Sequence, residues 1–228
     1  MKIIIINGSP RKNGTTAKIL HKIEKFLLEY ENVDVEFVNI TEMNMSPCNG
    51  CCSCYKTGHC YMNDDAEKLS KKIALADGLI MGSPTYASNV SGQMKQFIDR
   101  GHFVIEQLLH GKYAISIATG ENYGSSDTSK VLSKLLTYSG ARLSGKMVCN
   151  LPFNSSLSEK RNIEKQSQRL ANSIIKDIKY QKKYIGQAIK HKLIFSFGIQ
   201  PFVKRKGASY AGVLNRWKEQ GVCTGRLN

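Results

Sequence analysis

The first twenty residues constrain this chain more than any other stretch. Residues 2–6 read Lys-Ile-Ile-Ile-Ile, a short β-branched apolar run suited to a strand buried on both faces. The run passes directly into Asn7-Gly8-Ser9-Pro10-Arg11-Lys12-Asn13-Gly14-Thr15-Thr16. A helical pattern starts there, with Leu20, Ile23, Leu27 and Tyr30 on one face and Ile19 and Phe26 beside them. Strand, Gly- and hydroxyl-rich loop, then helix is an arrangement that holds a phosphate. The helix start offers unpaired N–H groups and the positive end of its dipole. Gly8 and Gly14 permit close backbone approach, and Ser9, Asn13, Thr15 and Thr16 add side-chain hydrogen-bonding groups. The same residues also suit a capped strand-to-helix turn with no ligand. Spacing excludes two nucleotide loops: no Lys precedes Thr15, as a P-loop requires, and the glycines do not follow G-x-G-x-x-G.

Strand and helix patterns then alternate. Residues 33–38 alternate apolar and polar, as in a strand near a sheet edge. Asp64 opens a helix with Glu67 as its box-like partner, and Leu69, Ile73 and Ala76 form its apolar stripe. Residues 79–82 make a buried strand, followed by a helix over about 90–109 that uses Met94, Phe97, Ile98 and Ile105. Strands at 113–117 and 146–149 flank a helix over 126–138, and a long helix runs over about 158–184. Such alternation predicts an α/β fold with a doubly wound parallel sheet. The loops leaving the strands' carboxyl ends, 7–16, 39–63, 83–92, 118–126 and 149–157, then share one edge, where ligands bind in such folds.

One of those loops is rich in cysteine. Cys48, Cys51, Cys54 and Cys60 follow C-x2-C-x2-C-x5-C, with Cys52 as a spare. Four thiolates that close together can wrap a [4Fe-4S] cube, although the Pro that follows the last Cys in bacterial ferredoxins is absent. Zinc also takes four Cys, but two pairs with a long gap, its usual spacing, are missing. Thiols on a structured loop can also simply pack or oxidise. Cys149 and Cys223 have no partner by spacing, and His59 reads as a loop surface residue.

The net charge of +15 is uneven: residues 1–150 carry +3 and residues 151–228 carry +12. A basic third raises nucleic acid or an anionic surface as a partner. Helix-turn-helix, RNA-binding sheet and zinc-finger patterns are absent, so no specific nucleic acid is expected and a solvated basic face is. No apolar run approaches the roughly 18 residues of a transmembrane segment. The start of the chain does not read as an export signal, and thiols without a secreted disulfide framework suit a reducing cytoplasm. Residues 185–228 read as an extension, apolar over 193–203 and flanked by basic residues; contact within a homo-oligomer, dimer or tetramer, is the expected role. Trp217 anchors its end by packing.

Three stretches carry a family resemblance. Residues 8–16, the segment Gly82-Ser83-Pro84-Thr85-Tyr86-Ala87-Ser88-Asn89-Val90-Ser91-Gly92, and Lys95-Gln96-Phe97-Ile98-Asp99-Arg100 resemble the flavodoxin-like NAD(P)H-dependent FMN reductase family. The cysteine spacing resembles its iron–sulfur flavoprotein branch. The resemblance implies a flavodoxin-like five-stranded parallel sheet in the order 2-1-3-4-5, with an FMN-binding domain over 1–184. It implies that Ser9, Arg11, Asn13, Gly14, Thr15 and Thr16 hold the FMN phosphate. Pro84, Thr85, Tyr86, Asn89, Thr119 and Gly120 then surround ribityl chain and ring, the last two from the loop 118–124. NAD(P)H is the implied donor, and the flavin rather than a catalytic side chain carries the chemistry. The branch adds a [4Fe-4S] cluster on Cys48, Cys51, Cys54 and Cys60 and a small-molecule or ferredoxin-type electron partner.

Overall fold

Strand β1 (Lys2–Asn7) lies inside a parallel sheet, and its four isoleucines are fully buried. Alternation along the strand divides them. Ile3 and Ile5 pack with Ile19, Leu20 and Ile23 in one helical layer, while Ile4 and Ile6 pack with Ile73, Met94 and Phe97 in the other. Burial on both faces is why the run carries no polar alternation.

The computed structural model describes residues 1–152 and 161–222. After β1 come α1 (Thr15–Leu28), β2 (Asp34–Asn39), α2 (Ser53–Thr57), α3 (Asp65–Leu75), β3 (Gly78–Tyr86) and β4 (Asn89–Val90). Next are α4 (Gly92–Arg100), β5 (Tyr113–Gly120), α5 (Ser125–Tyr138), β6 (Arg142–Asn150) and α6 (Arg161–Lys179). The tail holds α7 (Ile185–Ile194), a π-helical turn Phe195–Ile199, α8 (Gln200–Lys206) and α9 (Ala211–Glu219). The long strands lie parallel in the order β2-β1-β3-β5-β6, with the short β4 paired antiparallel to β3. This is the flavodoxin-like order, and it places the chain's switch of direction between β1 and β3.

Several elements depart from sequence expectation. The helix expected to reach about residue 109 ends at Arg100. His102 then adopts a left-handed backbone with φ 56°, which closes the helix off. Tyr30 lies beyond α1, and its hydroxyl donates to Asn172 Oδ1 at 2.7 Å. Asp64 does cap α3, accepting from the Ala66 N–H at 3.2 Å, but the Glu67 carboxylate accepts from the Cys60 N–H instead of closing a box. The helix expected over 158–184 is described from Arg161 and stops at Lys179. Its expected start, part of the 149–157 loop, and Cys223 lie outside the described residues.

The tail folds back on the body. Phe195, Ile199, Val203, Tyr210, Val213 and Trp217 form a separate small core against Tyr55, Val104 and Ile105. Trp217 is fully buried, and its indole N–H donates to the Ile105 carbonyl at 3.0 Å. Part of the apolar stretch 193–203 is therefore covered by this chain itself. Ile185, Ile189, Leu193 and Phe197 remain exposed along the outer side.

Candidate functional site

Two cavities carry the unusual sequence, and α4 connects them. The first, of about 310 Å³, opens where β1, β3 and β5 end. Its walls are Arg11, Asn13, Gly14, Thr15 and Thr16 from the first loop, Pro84, Thr85 and Tyr86 from the second, and Thr119 and Gly120 from the third. Ten of the expected residues thus surround one space, of a size that suits a small ligand.

Local geometry explains how the first loop is held. Gly8 donates its N–H to the Gly82 carbonyl at 2.8 Å, and a Cβ on Gly8 would lie 2.7 Å from the Met94 side chain. That packing favours glycine at position 8. The N-cap of α1 is Gly14, which has no side chain with which to cap the helix. The helix therefore starts at the cleft wall, where its first N–H groups suit an anion. Thr15 is half-buried at the cleft wall. Thr16 is buried, and its hydroxyl lies 2.7 Å from that of Thr119, tying the first loop to the third.

The second loop is braced from beneath. Ser91 caps α4 by accepting from the Met94 N–H, and its hydroxyl donates to the Gly8 carbonyl at 2.5 Å. Thr85 donates to the Ser125 hydroxyl at 3.2 Å. Ala87 and Ser88 turn the chain between β3 and β4 at φ 48° and 59°. Two consecutive non-glycine residues in the left-handed region carry strain of the kind found at binding loops.

Two expected residues do not line this cleft. Ser9 is buried, and its hydroxyl bonds within the loop to the Arg11 backbone at 3.1 Å. Asn89 caps its own neighbour, accepting from the Val90 N–H at 2.8 Å. Sequence reasoning passed over Lys18, Ser88, Glu121, Asn122 and Leu151, which do line it. Ser88, Glu121 and Asn122 lie in the two loops the sequence already marks, and Lys18, three residues after Thr15, falls on the same helix face.

The second cavity, of about 90 Å³, is lined by Cys48, Cys51, Cys52, Cys54 and Cys60, with Arg100 and His102 opposite. The two cavities share no lining residue. Ser91, at the start of α4, touches Gly8, and Arg100, at its end, holds the cysteine loop. The nine residues of α4 span roughly 13 Å. The expectation that all unusual loops share the flavin edge is corrected for the cysteines. The 39–63 segment leaves that edge and runs along α4, with Gln96 donating to the Met45 carbonyl and Arg100 to the Ser46 carbonyl.

Polar contacts fix the cysteine loop. Arg100, almost fully buried, donates to both Asp64 carboxylate oxygens at 2.7 and 2.8 Å and to Cys60 Sγ at 3.4 Å. Burial alone would raise the Asp64 carboxyl, but the Arg100 guanidinium outweighs it and holds it below the usual carboxylate range. His102 Nδ1 lies 2.8 Å from Glu106 Oε1, and Cys54, His102 and Glu106 bring their ligating atoms within 4.8 Å of one another. Burial pulls the imidazole down, but hydrogen bonds to Cys54 and Glu106 outweigh it and push it up to about 10. Burial pushes the Tyr55 hydroxyl up to about 12. His59 is exposed, with its Nδ1 3.6 Å from a Glu67 carboxylate oxygen.

The tail completes this second site. Arg216 pairs with Glu106 at 2.5 Å and donates to the Gly58 carbonyl at 2.7 Å. Tyr210 stacks on Tyr55 with centroids 4.8 Å apart. A Cβ on Gly212 would fall 2.0 Å from the Gly58 nitrogen, so α9 rests directly on the end of α2.

The parallel sheet and the three-loop cleft at its switch point define a flavodoxin-like protein. Comparison with known proteins carries the identification further. The model of the NADPH-dependent FMN reductase family matches residues 1–156. An iron–sulfur flavoprotein of Clostridioides difficile (strain 630) is 34% identical over 226 residues, 97% of this chain and 100% of its own length. The FMN reductase (NADPH) of Escherichia coli (strain K12) is 28% identical over 123 residues, 53% of this chain and 56% of its own. Among solved structures, an NADH:FMN oxidoreductase in its apo form is similar with a TM-score of 0.59 at 22% identity, over 80% of this chain and 90% of its own. A flavodoxin from the domain Archaea is similar with a TM-score of 0.54 at 14% identity, over 78% of this chain and 99% of its own. The chain belongs to the NADPH-dependent FMN reductase family. It is an FMN-dependent oxidoreductase. Among the described residues, no helix is long and apolar enough to cross a membrane.

Proposed function

We propose that this oxidoreductase binds FMN in the three-loop cleft, takes electrons from a reduced nicotinamide and passes them on through a cluster on the cysteine loop. The observation that carries the first part is the start of α1, with glycine as its N-cap, at a cleft lined by Arg11, Asn13, Thr15, Thr85, Tyr86 and Gly120. FMN, when bound, supplies the electron-carrying ring; the chain positions it. Backbone N–H groups of 15 and 16 with Arg11, Asn13 and the Thr15 hydroxyl hold the phosphate, while the Gly14 N–H is given to the Arg11 carbonyl at 3.0 Å. Ser9 and Thr16 brace that loop from behind. Pro84, Thr85 and Tyr86 border the ribityl chain and ring, and Thr119 and Gly120 wall the opposite side.

The second part is carried by Cys48, Cys51, Cys54 and Cys60 lining one cavity. Four thiols and a neighbouring cationic side chain are a donor set suited to [4Fe-4S], which supplies one-electron exchange when bound. The likeness to proteins named iron–sulfur flavoproteins supports the same choice. Cys48, Cys51 and Cys52 are exposed, so a ferredoxin-type partner has access to this side. The apolar stripe Ile185, Ile189, Leu193 and Phe197 is the proposed homo-oligomer contact of the 185–228 extension. A cytoplasmic location follows from thiols kept reduced.

An absorption spectrum of protein purified anaerobically, with iron and FMN analysis, tests the proposal. Flavin bands with a broad shoulder near about 400 nm and about four iron per chain are expected. Flavin without iron after anaerobic reconstitution would remove the cluster and leave the FMN oxidoreductase.

A further inference from the structure

Arg100 and His102 lie two residues apart where α4 ends, and each faces a different sulfur of the cysteine loop. Arg100 Nη2 donates to Cys60 Sγ at 3.4 Å. The His102 ring and Cys54 Sγ fall within 4.8 Å of each other, with Glu106 closing the group. Neither side chain is free to move. The Arg100 fork is fixed on Asp64 and on the Ser46 carbonyl. The His102 ring, 5% exposed, is fixed on Glu106, which is itself fully buried and paired with Arg216.

We infer that Arg100 and His102 are positioning residues that set the reduction potential of the group held by the cysteine loop, by donating to two of its sulfur ligands. The inference rests on the cluster reading above and deepens it. A simple tie between loop and helix would need only the Asp64 and Ser46 contacts. The donors aimed at sulfur are additional, and they come from one short turn. Reduction of a bound cluster, by one electron from an electrode or a one-electron reductant, adds one negative charge with no proton. A hydrogen bond from a fixed donor to a ligating sulfur stabilises that added charge more than it stabilises the oxidised form. Each donor therefore raises the potential, and buried donors do so more strongly than exposed ones because water does not screen them.

The test uses the full chain, reconstituted anaerobically, with the variants Arg100→Lys and His102→Gln. Lysine keeps a positive charge beside Asp64 while losing the fork that reaches Cys60. Glutamine keeps hydrogen-bonding capacity towards Glu106 while losing the ring. Iron per chain is measured first, and then the cluster midpoint potential by spectroscopic redox titration. Each variant is expected to keep the iron of the parent while losing about tenfold in the equilibrium constant for reduction, a fall of about 59 mV for a one-electron couple. Unchanged potentials at full iron content would overturn the inference and leave the cluster reading standing. Loss of iron in both variants would also overturn it, since the residues would then only hold the loop together. A parent chain that takes up no iron would overturn the cluster reading itself, a result distinguishable from the other two.

Discussion

The hydroxyls of Thr16 and Thr119 lie 2.7 Å apart, both buried, and join the start of α1 to the end of β5. The contact fixes the distance between the phosphate side and the ring side of the cleft. It also separates two adjacent threonines by role: both border the cleft, but the buried Thr16 hydroxyl is engaged with Thr119.

Thr16→Val leaves the Thr119 hydroxyl buried without this partner. The expected loss of stability is about 1–3 kcal/mol. Thr119→Val should cost about the same, and the double variant less than the sum of the two. Urea unfolding of the four proteins measures the coupling; strictly additive losses would show that the two hydroxyls do not depend on each other.

Thr15→Val should behave in the opposite way. Its hydroxyl faces the cleft, so stability should hold while FMN binding weakens by roughly 1.5–3 kcal/mol, the worth of a hydrogen bond to a charged group. That corresponds to roughly a ten- to hundredfold rise in Kd. Fluorescence titration of the apo protein with FMN reads it directly, and an unchanged Kd would remove Thr15 from the phosphate site.

The tail should act on the cysteine loop. Trp217→Ala removes the largest side chain of the small core and is expected to cost about 3–5 kcal/mol there. Hydrogen exchange at the amides of residues 53–60 should speed up, and FMN affinity should hold. Unchanged exchange at those amides would show that α9 does not support the loop it rests on.

Acid should loosen the same region. Arg100 holds the Asp64 carboxyl below its ordinary value. A depressed carboxylate stabilises the fold above its unfolded pKa, near 3.9, and that contribution is lost as pH falls through the lower folded value. Asp64→Asn should therefore be less stable than the parent at about pH 6, with the difference closing below about pH 4. A difference independent of pH would mean the ionised pair contributes nothing beyond shape.

Within the cysteine loop, Cys48→Ala, Cys51→Ala, Cys54→Ala and Cys60→Ala should each lose iron, and Cys52→Ala should keep it. Cys52 sits at φ 58° at the start of α2 and is the spare thiol of the spacing. Iron loss from the Cys52 variant equal to that of the other four would break the assigned set.

Much of this was legible in the sequence because burial leaves a pattern. The isoleucine run of β1 has no polar alternation since helices cover both its faces. Strand order came from family resemblance, as periodicity does not carry it. The overlong helix after β3 had a physical cause. Phe103, Leu108 and Leu109 are all buried, so the apolar spacing continues past Arg100 even though the backbone has left the helix at Gly101 and His102. Two threonines in sequence give no sign of which one faces inward; that depends on Thr119, more than a hundred residues away. Arg100, Asp64 and Glu106 were missed as partners of the cysteines for the same reason. Their contacts join α3, α4 and the tail, and no local spacing encodes them.

The central claim is that the start of α1 holds the phosphate of FMN. Titration of the apo protein with FMN and with riboflavin, which lacks only that phosphate, tests it most directly. Two or more hydrogen bonds to a dianion, each worth roughly 1.5–3 kcal/mol, predict that riboflavin binds at least about a hundredfold more weakly. Equal affinity for the two flavins would contradict the account.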